Sequence, residues 1–397
     1  MKEPLKAVRI TDKVYWVGAV DWDIRDFHGY STNRGTSYNA YLILAEKPTL
    51  IDTVKAPFLP EMMARISSVI DPKAIRLVVS NHSEMDHSGA LPELLKLIEP
   101  EKVVASPAGV KALRAHFHDL APVQAVKEGE SLDLGGDRLS FRMTPMLHWP
   151  DSMFSYLESD GVLFSNDAFG MHLASLSRFD DEVPDWRYEA AKYYANILLP
   201  FSDIVLALLD KFDKTGFSPK MIAPDHGPIW RKDVKMIMSL WGAWARQKGT
   251  DKAVIVFDTM WGSTEKLALA AAEGLAAGGT KTVVMPMRLS HRSDVATELL
   301  DAGALLVGSP TINRQMFPTM ADVLSYLKGL KPRSKIGAAF GSYGWAGESI
   351  QQVQDALVAM GVSTCEPVKC QYVPDAAALA SAYDLGQKIS AKLKEPR

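Results

Sequence analysis

The stretch IRLVVSNHSEMDHSG, Ile75 to Gly89, sets an apolar strand-like run directly ahead of two imidazoles and two carboxylates packed into six positions. On extended backbone alternate residues share a side, so His82, Glu84 and Asp86 face one cavity while His87 turns in where the next helix starts. Further along come His148 in MLHWPD (146–151), Asp167 in FSND (164–167) and His226 in APDHGP (223–228), each just after another apolar run. That makes seven groups, four His and three carboxylates. One mononuclear site needs roughly three or four ligands, so the set implies two metals with one carboxylate bridging. A lone His is more often a hydrogen-bonded core or surface residue. That reading mostly suits His28, His116, His118, His172 and His291, with His116 and His118 as ordinary helix residues, but placement of the whole set of seven at strand ends argues for metal.

Outward from this stretch, 397 residues predict two or three domains with ample core. Lys plus Arg is 44 against 47 Asp plus Glu, a net charge of −3, which excludes a nucleic-acid binder relying on bulk positive charge. Met1 to Asp23 is charged throughout, and no later stretch reaches the roughly 18–20 apolar residues of a membrane span. The expectation is a soluble, cytoplasmic protein without membrane association. The two cysteines, Cys365 and Cys370, form no Cys-x-x-Cys pair, so the metals rest on His and carboxylate and any thiolate-bound iron centre belongs to another protein.

Texture changes near Lys248 to Asp251, which divides the chain into residues 1–250 and 251–397. In the second part the apolar runs Ala253 to Phe257, Thr282 to Met285, Ala304 to Val307 and Ile336 to Phe340 alternate with helical stretches at 264–277, 318–330 and 346–360. Strand then helix, repeated, is a doubly wound parallel sheet of flavodoxin size, with its ligand at the carboxyl ends of the strands. The first part is α/β with much antiparallel sheet: strands at 14–17, 38–44, 49–52, 139–143, 154–157 and 162–164, a helix at 58–70, a helical aromatic-rich segment from Trp186 to Phe212 and a closing helix at 232–247.

Three loops at strand ends of the second part suit a flavin. Thr259-Met260-Trp261-Gly262-Ser263-Thr264 opens a helix, where hydroxyls and backbone N–H groups bind phosphate. It is similar to the flavodoxin phosphate loop Ser/Thr-x-Thr-Gly-x-Thr, with Trp261 in place of the middle Thr. Ser309-Pro310-Thr311-Ile312-Asn313-Arg314 and Gly341-Ser342-Tyr343-Gly344-Trp345 offer amides and aromatic faces. With no Gly-x-Gly-x-x-Gly and no phosphate-binding lysine motif, the monophosphate FMN fits best.

His82-x-Glu84-x-Asp86-His87 is similar to the His-x-His-x-Asp-His signature of the metallo-β-lactamase fold, and His148, Asp167 and His226 fall in that fold's remaining ligand positions. Glu84 in place of the second His hardens the site and favours iron over zinc. With the flavodoxin-like half, this resembles the flavodiiron proteins (A-type flavoproteins) over nearly the whole chain. The resemblance implies a metallo-β-lactamase-like αββα sandwich fused to a flavodoxin-like sheet. It gives one iron to His82, Glu84 and His148 and the other to Asp86, His87 and His226, with Asp167 bridging. In some members the imidazole matching His87 swings away and water replaces it. His172 and Tyr194 are candidates for a place beside the irons, supplying protons, with packing as the alternative. The implied reaction is reduction of dioxygen to water, or of nitric oxide to nitrous oxide, with electrons from a donor such as rubredoxin. The implied assembly is a head-to-tail homodimer, or a dimer of dimers, in which the FMN of one subunit faces the irons of the other. Two rivals compete: a zinc hydrolase with a fused flavodoxin domain, and a pure electron-transfer flavoprotein with a vestigial metal site.

Overall fold

Strand Tyr41–Ile43 shows how the first unit is built: Tyr41 and Ile43 join one buried apolar cluster and Leu42 another. The same alternation runs through Leu77, Val78 and Val79 and through Val103, Val104 and Ala105. A sheet covered on both faces accounts for the continuous apolar runs of the sequence. The computed structural model describes residues 5–395; residues 1–4, the start of the charged N-terminal stretch, and 396–397, the end of the C-terminal part, lie outside the described residues. Contacts divide the chain into Met1–Phe27, Thr32–Tyr193 and Asp203–Gly242 as one unit, and His28–Ser31, Tyr194–Ser202 and Ala243–Arg397 as the other.

In the first unit, Tyr41–Ile43 lies in a seven-stranded sheet whose later strands, Thr49–Ile51, Leu77–Ser80, Lys102–Ala105 and Val123–Ala125, run parallel. A five-stranded sheet follows: Ser131–Asp133, Arg138–Met143, Met153–Leu157, Val162–Phe164 and Met221–Ala223, antiparallel except for the last pair. Trp16, Tyr41, Ile51, Val79, Leu139, Phe141 and Phe164 fill the space between the sheets. Met62, Ile66, Leu91, Leu94 and Leu113, from helices Leu59–Ser67, Leu91–Ile98 and Pro107–His116, cover the outer face of the first sheet. Beyond the second sheet, Phe217 meets Tyr156 edge-on at 4.8 Å and Phe212 at 4.8 Å. The result is four layers, helix, sheet, sheet, helix.

The second unit is a parallel sheet in the order Lys281–Pro286, Thr250–Phe257, Ala302–Gly308, Ile336–Tyr343, with Ser363–Thr364 and Val368–Gln371 both pairing the last of these. The chain order 2-1-3-4-5 is that of flavodoxin-like sheets. Helices Ser263–Ala277, Arg292–Leu299, Pro318–Leu330, Glu348–Ala359 and Ala376–Leu393 complete the winding.

Some local expectations change. The strand before the ligands stops at Ser80, and Met85–Ser88 is a turn of helix, so Asp86 leaves a helix rather than alternating along a strand, while His87 sits in the helix start expected for it. The segment from Trp186 is helical throughout, as expected, but changes pitch: α-helix Trp186–Tyr193, a wider π-helical stretch Tyr194–Leu198, a tighter 3-10 turn Leu199–Phe201 and α-helix Ser202–Thr215. Pro200 lies in that tight turn and has no N–H to continue a ladder. His116 ends its helix, and His118 lies in the turn beyond it. Among the described residues, no helix is long and apolar enough to cross a membrane.

Candidate metal centre and flavin cleft

The seven predicted ligands all sit in the first unit, just past strand ends. Asn81 fixes the first of these exits. Its N–H and its side-chain amide donate to the two oxygens of Asp52 at 2.7 and 2.9 Å, and its own side-chain oxygen accepts from Ser155 at 2.5 Å. His82 follows directly. Asp167 and His226 leave the adjacent parallel strands Val162–Phe164 and Met221–Ala223, so both emerge at one end of the sheet. Gly227 turns the chain after His226 at φ +76°, where a Cβ would meet the Met171 side chain and carbonyl at 2.7 Å.

Two groups of ligand atoms result, His82, Glu84, His148 and Asp167 in one and Asp86, His87 and His226 in the other. In the first, His82 Nε2 lies 3.3 Å from Glu84 and from Asp167 Oδ2, and His148 Nε2 lies 3.3 and 3.1 Å from the same two carboxylates. In the second, Asp86 lies 3.4 Å from His87 Nε2 and 3.2 Å from His226 Nε2, while Asp167 Oδ1 lies 3.2 and 3.4 Å from those nitrogens. Asp167 therefore turns one oxygen to each group. Ligands about 2.1 Å from a shared ion stand roughly 3.0–3.4 Å from each other, which matches these separations. Both oxygens of Asp86, both of Asp167 and Nε2 of His87 are buried without a hydrogen-bond partner. Buried polar atoms are rarely left so, and here all aim at the spaces two cations would fill. The donor set fits a pair of oxygen-preferring transition metals.

Burial disfavours the charge on Asp167, but His87, His148 and His82 outweigh it and hold the carboxyl well below the usual range. Against the burial that lowers it, Asp167 and Glu84 push His148 up to about 8. Behind the ligands, His226 Nδ1 donates to the Ser37 carbonyl at 2.6 Å. His87 Nδ1 lies 3.7 Å from Asp225, whose carboxyl burial, and then Asp52, push well above its usual range. His172 is fully buried, with Nδ1 2.9 Å from Thr36 Oγ1 and its ring 4.7 Å from that of His226; burial, then the His226 charge, keep it neutral. Tyr194 turns its hydroxyl to Ser202 at 3.3 Å. Its neighbour Tyr193 instead feels Asp167: burial, followed by the Asp167 charge, holds the phenol proton well above its ordinary range. The sequence reading missed Tyr193, Asp151 and Asp225. Only the adjacency of Asp151 and Asp225 to ligand motifs signalled them.

In the second unit a cavity of about 500 Å³ opens at the carboxyl ends of the sheet, lined by Met260, Trp261, Ser263, Pro310, Thr311, Ser342, Tyr343, Gly344, Trp345, Tyr372 and Val373. Small-molecule sites span about 300–1,000 Å³. Thr259 shapes the first loop, its Oγ1 accepting from Gly262 N–H at 3.0 Å, and Gly262 takes φ +81° just before the helix at Ser263. Thr264 Oγ1 is buried 2.9 Å from Ser342 Oγ, tying the first loop to the third. Ser309 accepts from Phe317 N–H at 2.8 Å, and Ile312 and Asn313 belong to a small hairpin; none of the three lines the cavity. Trp261 and Trp345 are 93% and 89% exposed. A cleft with indole faces at its mouth and a helix N-terminus beside it fits a planar, phosphorylated ring such as FMN. Tyr372 and Val373, just past strand Val368–Gln371, also line the cleft and were not anticipated.

A four-layer sandwich with paired metal-ligand groups, joined to a flavodoxin-like sheet with an open cleft, defines a class of oxidoreductase. Residues 36–227 match the family described as ODP family beta lactamase, and residues 255–386 match Flavodoxin. The chain belongs to the flavodiiron proteins, and the cofactors of that family, FMN and two irons, fit the two sites just described. It is 46% identical to the nitric oxide reductase of Moorella thermoacetica, over 98% of this chain and 99% of that one. The solved rubredoxin oxygen:oxidoreductase of Desulfovibrio gigas superposes with a TM-score of 0.96 at 44% identity, covering 98% and 99% of the two chains. The flavodiiron protein of Giardia intestinalis gives 0.94 at 32% identity, covering 99% and 98%.

Proposed function

We propose that the protein reduces dioxygen to water, nitric oxide to nitrous oxide, or both, using electrons from an external donor such as rubredoxin. The observation that carries this reading is Asp167, whose two oxygens face separate ligand groups in a chain that also bears a flavin-sized cleft. In this assignment His82, Glu84 and His148 hold one iron, Asp86, His87 and His226 the other, and Asp167 lies between them. When bound, the irons and FMN together supply storage for about four electrons and an open position for a diatomic gas.

The chain's own residues prepare that site. Three carboxylates among seven donors favour iron over zinc. Burial of His82, His87, Asp86 and Asp167 keeps bulk water off the inner ligands. Burial and the Asp167 charge keep the proton on the Tyr193 hydroxyl, while His172 packs neutral behind His226. Relatives named for rubredoxin, oxygen and nitric oxide support both gases and an external donor. The proposal includes a head-to-tail homodimer, alone or paired as a dimer of dimers, supported by the exposed Trp261 and Trp345 at the cleft mouth. It also includes a cytoplasmic setting, in keeping with two unpaired, buried cysteines. Steady-state uptake of each gas by the iron- and FMN-loaded protein with reduced rubredoxin tests the reading. Zinc without iron, esterase or lactamase turnover and no gas uptake would overturn it. Full activity of a monomer at nanomolar dilution would remove the dimer.

A further inference from the structure

Asp151 lies in the same turn as His148 and is buried, although no ligand role is assigned to it. Its Oδ2 accepts the Ser83 N–H at 2.6 Å and sits 3.3 Å from His82 Nδ1. Ser83 is the residue between His82 and Glu84, and the Asp151 carbonyl is pinned by Ser106 Oγ at 2.7 Å. One carboxylate thus touches the His82 ring, the backbone between His82 and Glu84, and the turn bearing His148. It reaches three ligands of the first group and none of the second. An ionised carboxylate only accepts, so His82 Nδ1 must carry the proton and Nε2 must present its lone pair to the metal.

We propose that Asp151 is the positioning residue of the first metal position: it fixes the His82 tautomer and locks the His82–Glu84 and His148 loops in one register. The two metal positions then differ in kind. Asp151 anchors the first through a charged acceptor, whereas among the described residues His87 Nδ1 has no hydrogen-bond partner and Asp225 approaches it at 3.7 Å. This inference rests on the two-metal reading of the cluster, deepens it, and concerns affinity rather than turnover.

Its test is titration of metal-free protein with cobalt(II) against a competing chelator, followed by visible absorption. Wild type should bind two ions per chain; failure there sinks the metal reading itself and this inference with it. Asp151→Asn should weaken one binding step by roughly 10- to 100-fold, the usual cost of losing such a partner, and leave the other within about twofold. Ser106→Ala loosens the same turn but keeps the carboxylate and should leave both steps within about twofold. Equal weakening of both steps in Asp151→Asn, no weakening, or the same selective loss in Ser106→Ala would overturn the assignment. A measurement on wild type covers the case in which Asp151→Asn does not fold. In the zinc-loaded protein, ring-nitrogen NMR should find His82 protonated at Nδ1 and metal-bound at Nε2, and the reverse tautomer refutes the role.

Discussion

Stripping the metals should turn the cluster into a pH-dependent stabiliser with a defined sign. In the metal-free protein His148, normally near 6.5, is pushed up to about 8, and it is well shielded from solvent. A raised folded value means stability fully present below about pH 6.5 and lost as pH climbs through about 8. Its full size is about 2 kcal/mol, of which about 1 kcal/mol disappears between pH 7 and 9. His82 and His87 are raised as well, the latter to about 10, and lose stability in the same direction. They share carboxylates with His148, so the terms do not add. Asp225, raised by burial, has the same sign. His172 has the opposite sign, because its lowered value penalises the folded state only while the unfolded imidazole is charged, below about 6.5. Starting the comparison at pH 7 removes that offset, and Asp52, raised to about 6, has largely ionised by then.

For a unit of this size 1 kcal/mol moves Tm by roughly 2–4 °C, so metal-free protein should melt at least that much lower at pH 9 than at pH 7. Metal-loaded protein should be level or rising over the same interval, since ligand imidazoles must be deprotonated to bind. Thermal melts by circular dichroism in a pH series, with and without metal, decide the matter. A metal-free Tm that is flat or rises from pH 7 to 9, or a parallel fall in both forms, refutes the reasoning.

Other changes have equally definite outcomes. Asp167→Ala removes the carboxylate shared by both groups, and bound iron should fall from two ions to under one per chain with gas uptake lost; retention of two irons would contradict a bridge. Glu84→His trades a hard oxygen for a nitrogen, so competition between iron(II) and zinc(II) should shift toward zinc, and an unchanged ratio would show that Glu84 does not set the preference. Trp261→Ala takes away an aromatic face worth about 0.5–1.5 kcal/mol, so FMN should bind about 2- to 13-fold more weakly in a flavin-fluorescence titration. Phe141→Ala opens a cavity between the two sheets and should cost about 3–5 kcal/mol in urea unfolding of the metal-loaded protein.

What could be read from the sequence was whatever the chain writes locally. An apolar run followed by polar donors marks a strand end, and Leu77–Ser80, Val162–Phe164 and Met221–Ala223 each deliver ligands that way. The flavin cleft was legible for the same reason at Phe257, Gly308 and Tyr343, where strands of one parallel sheet end together. The ligand set could also be found with the wrong local geometry: alternation along a strand and one turn of helix both bring Asp86 beside His82. Side-chain direction was not legible. Tyr193 and Tyr194 are adjacent, and successive helical residues point about 100° apart, so only the fold decides which hydroxyl feels Asp167. Asp151 and Asp225 stand three and one residues from the ligands His148 and His226, yet the imidazoles whose rings they face are His82 and His87, far away in the chain. Sequence spacing records which residues leave a strand together, whereas the partners that orient a ligand come from whichever loop the sandwich folds against it. Support of this kind is therefore the part of a metal centre most readily missed before a structure is known.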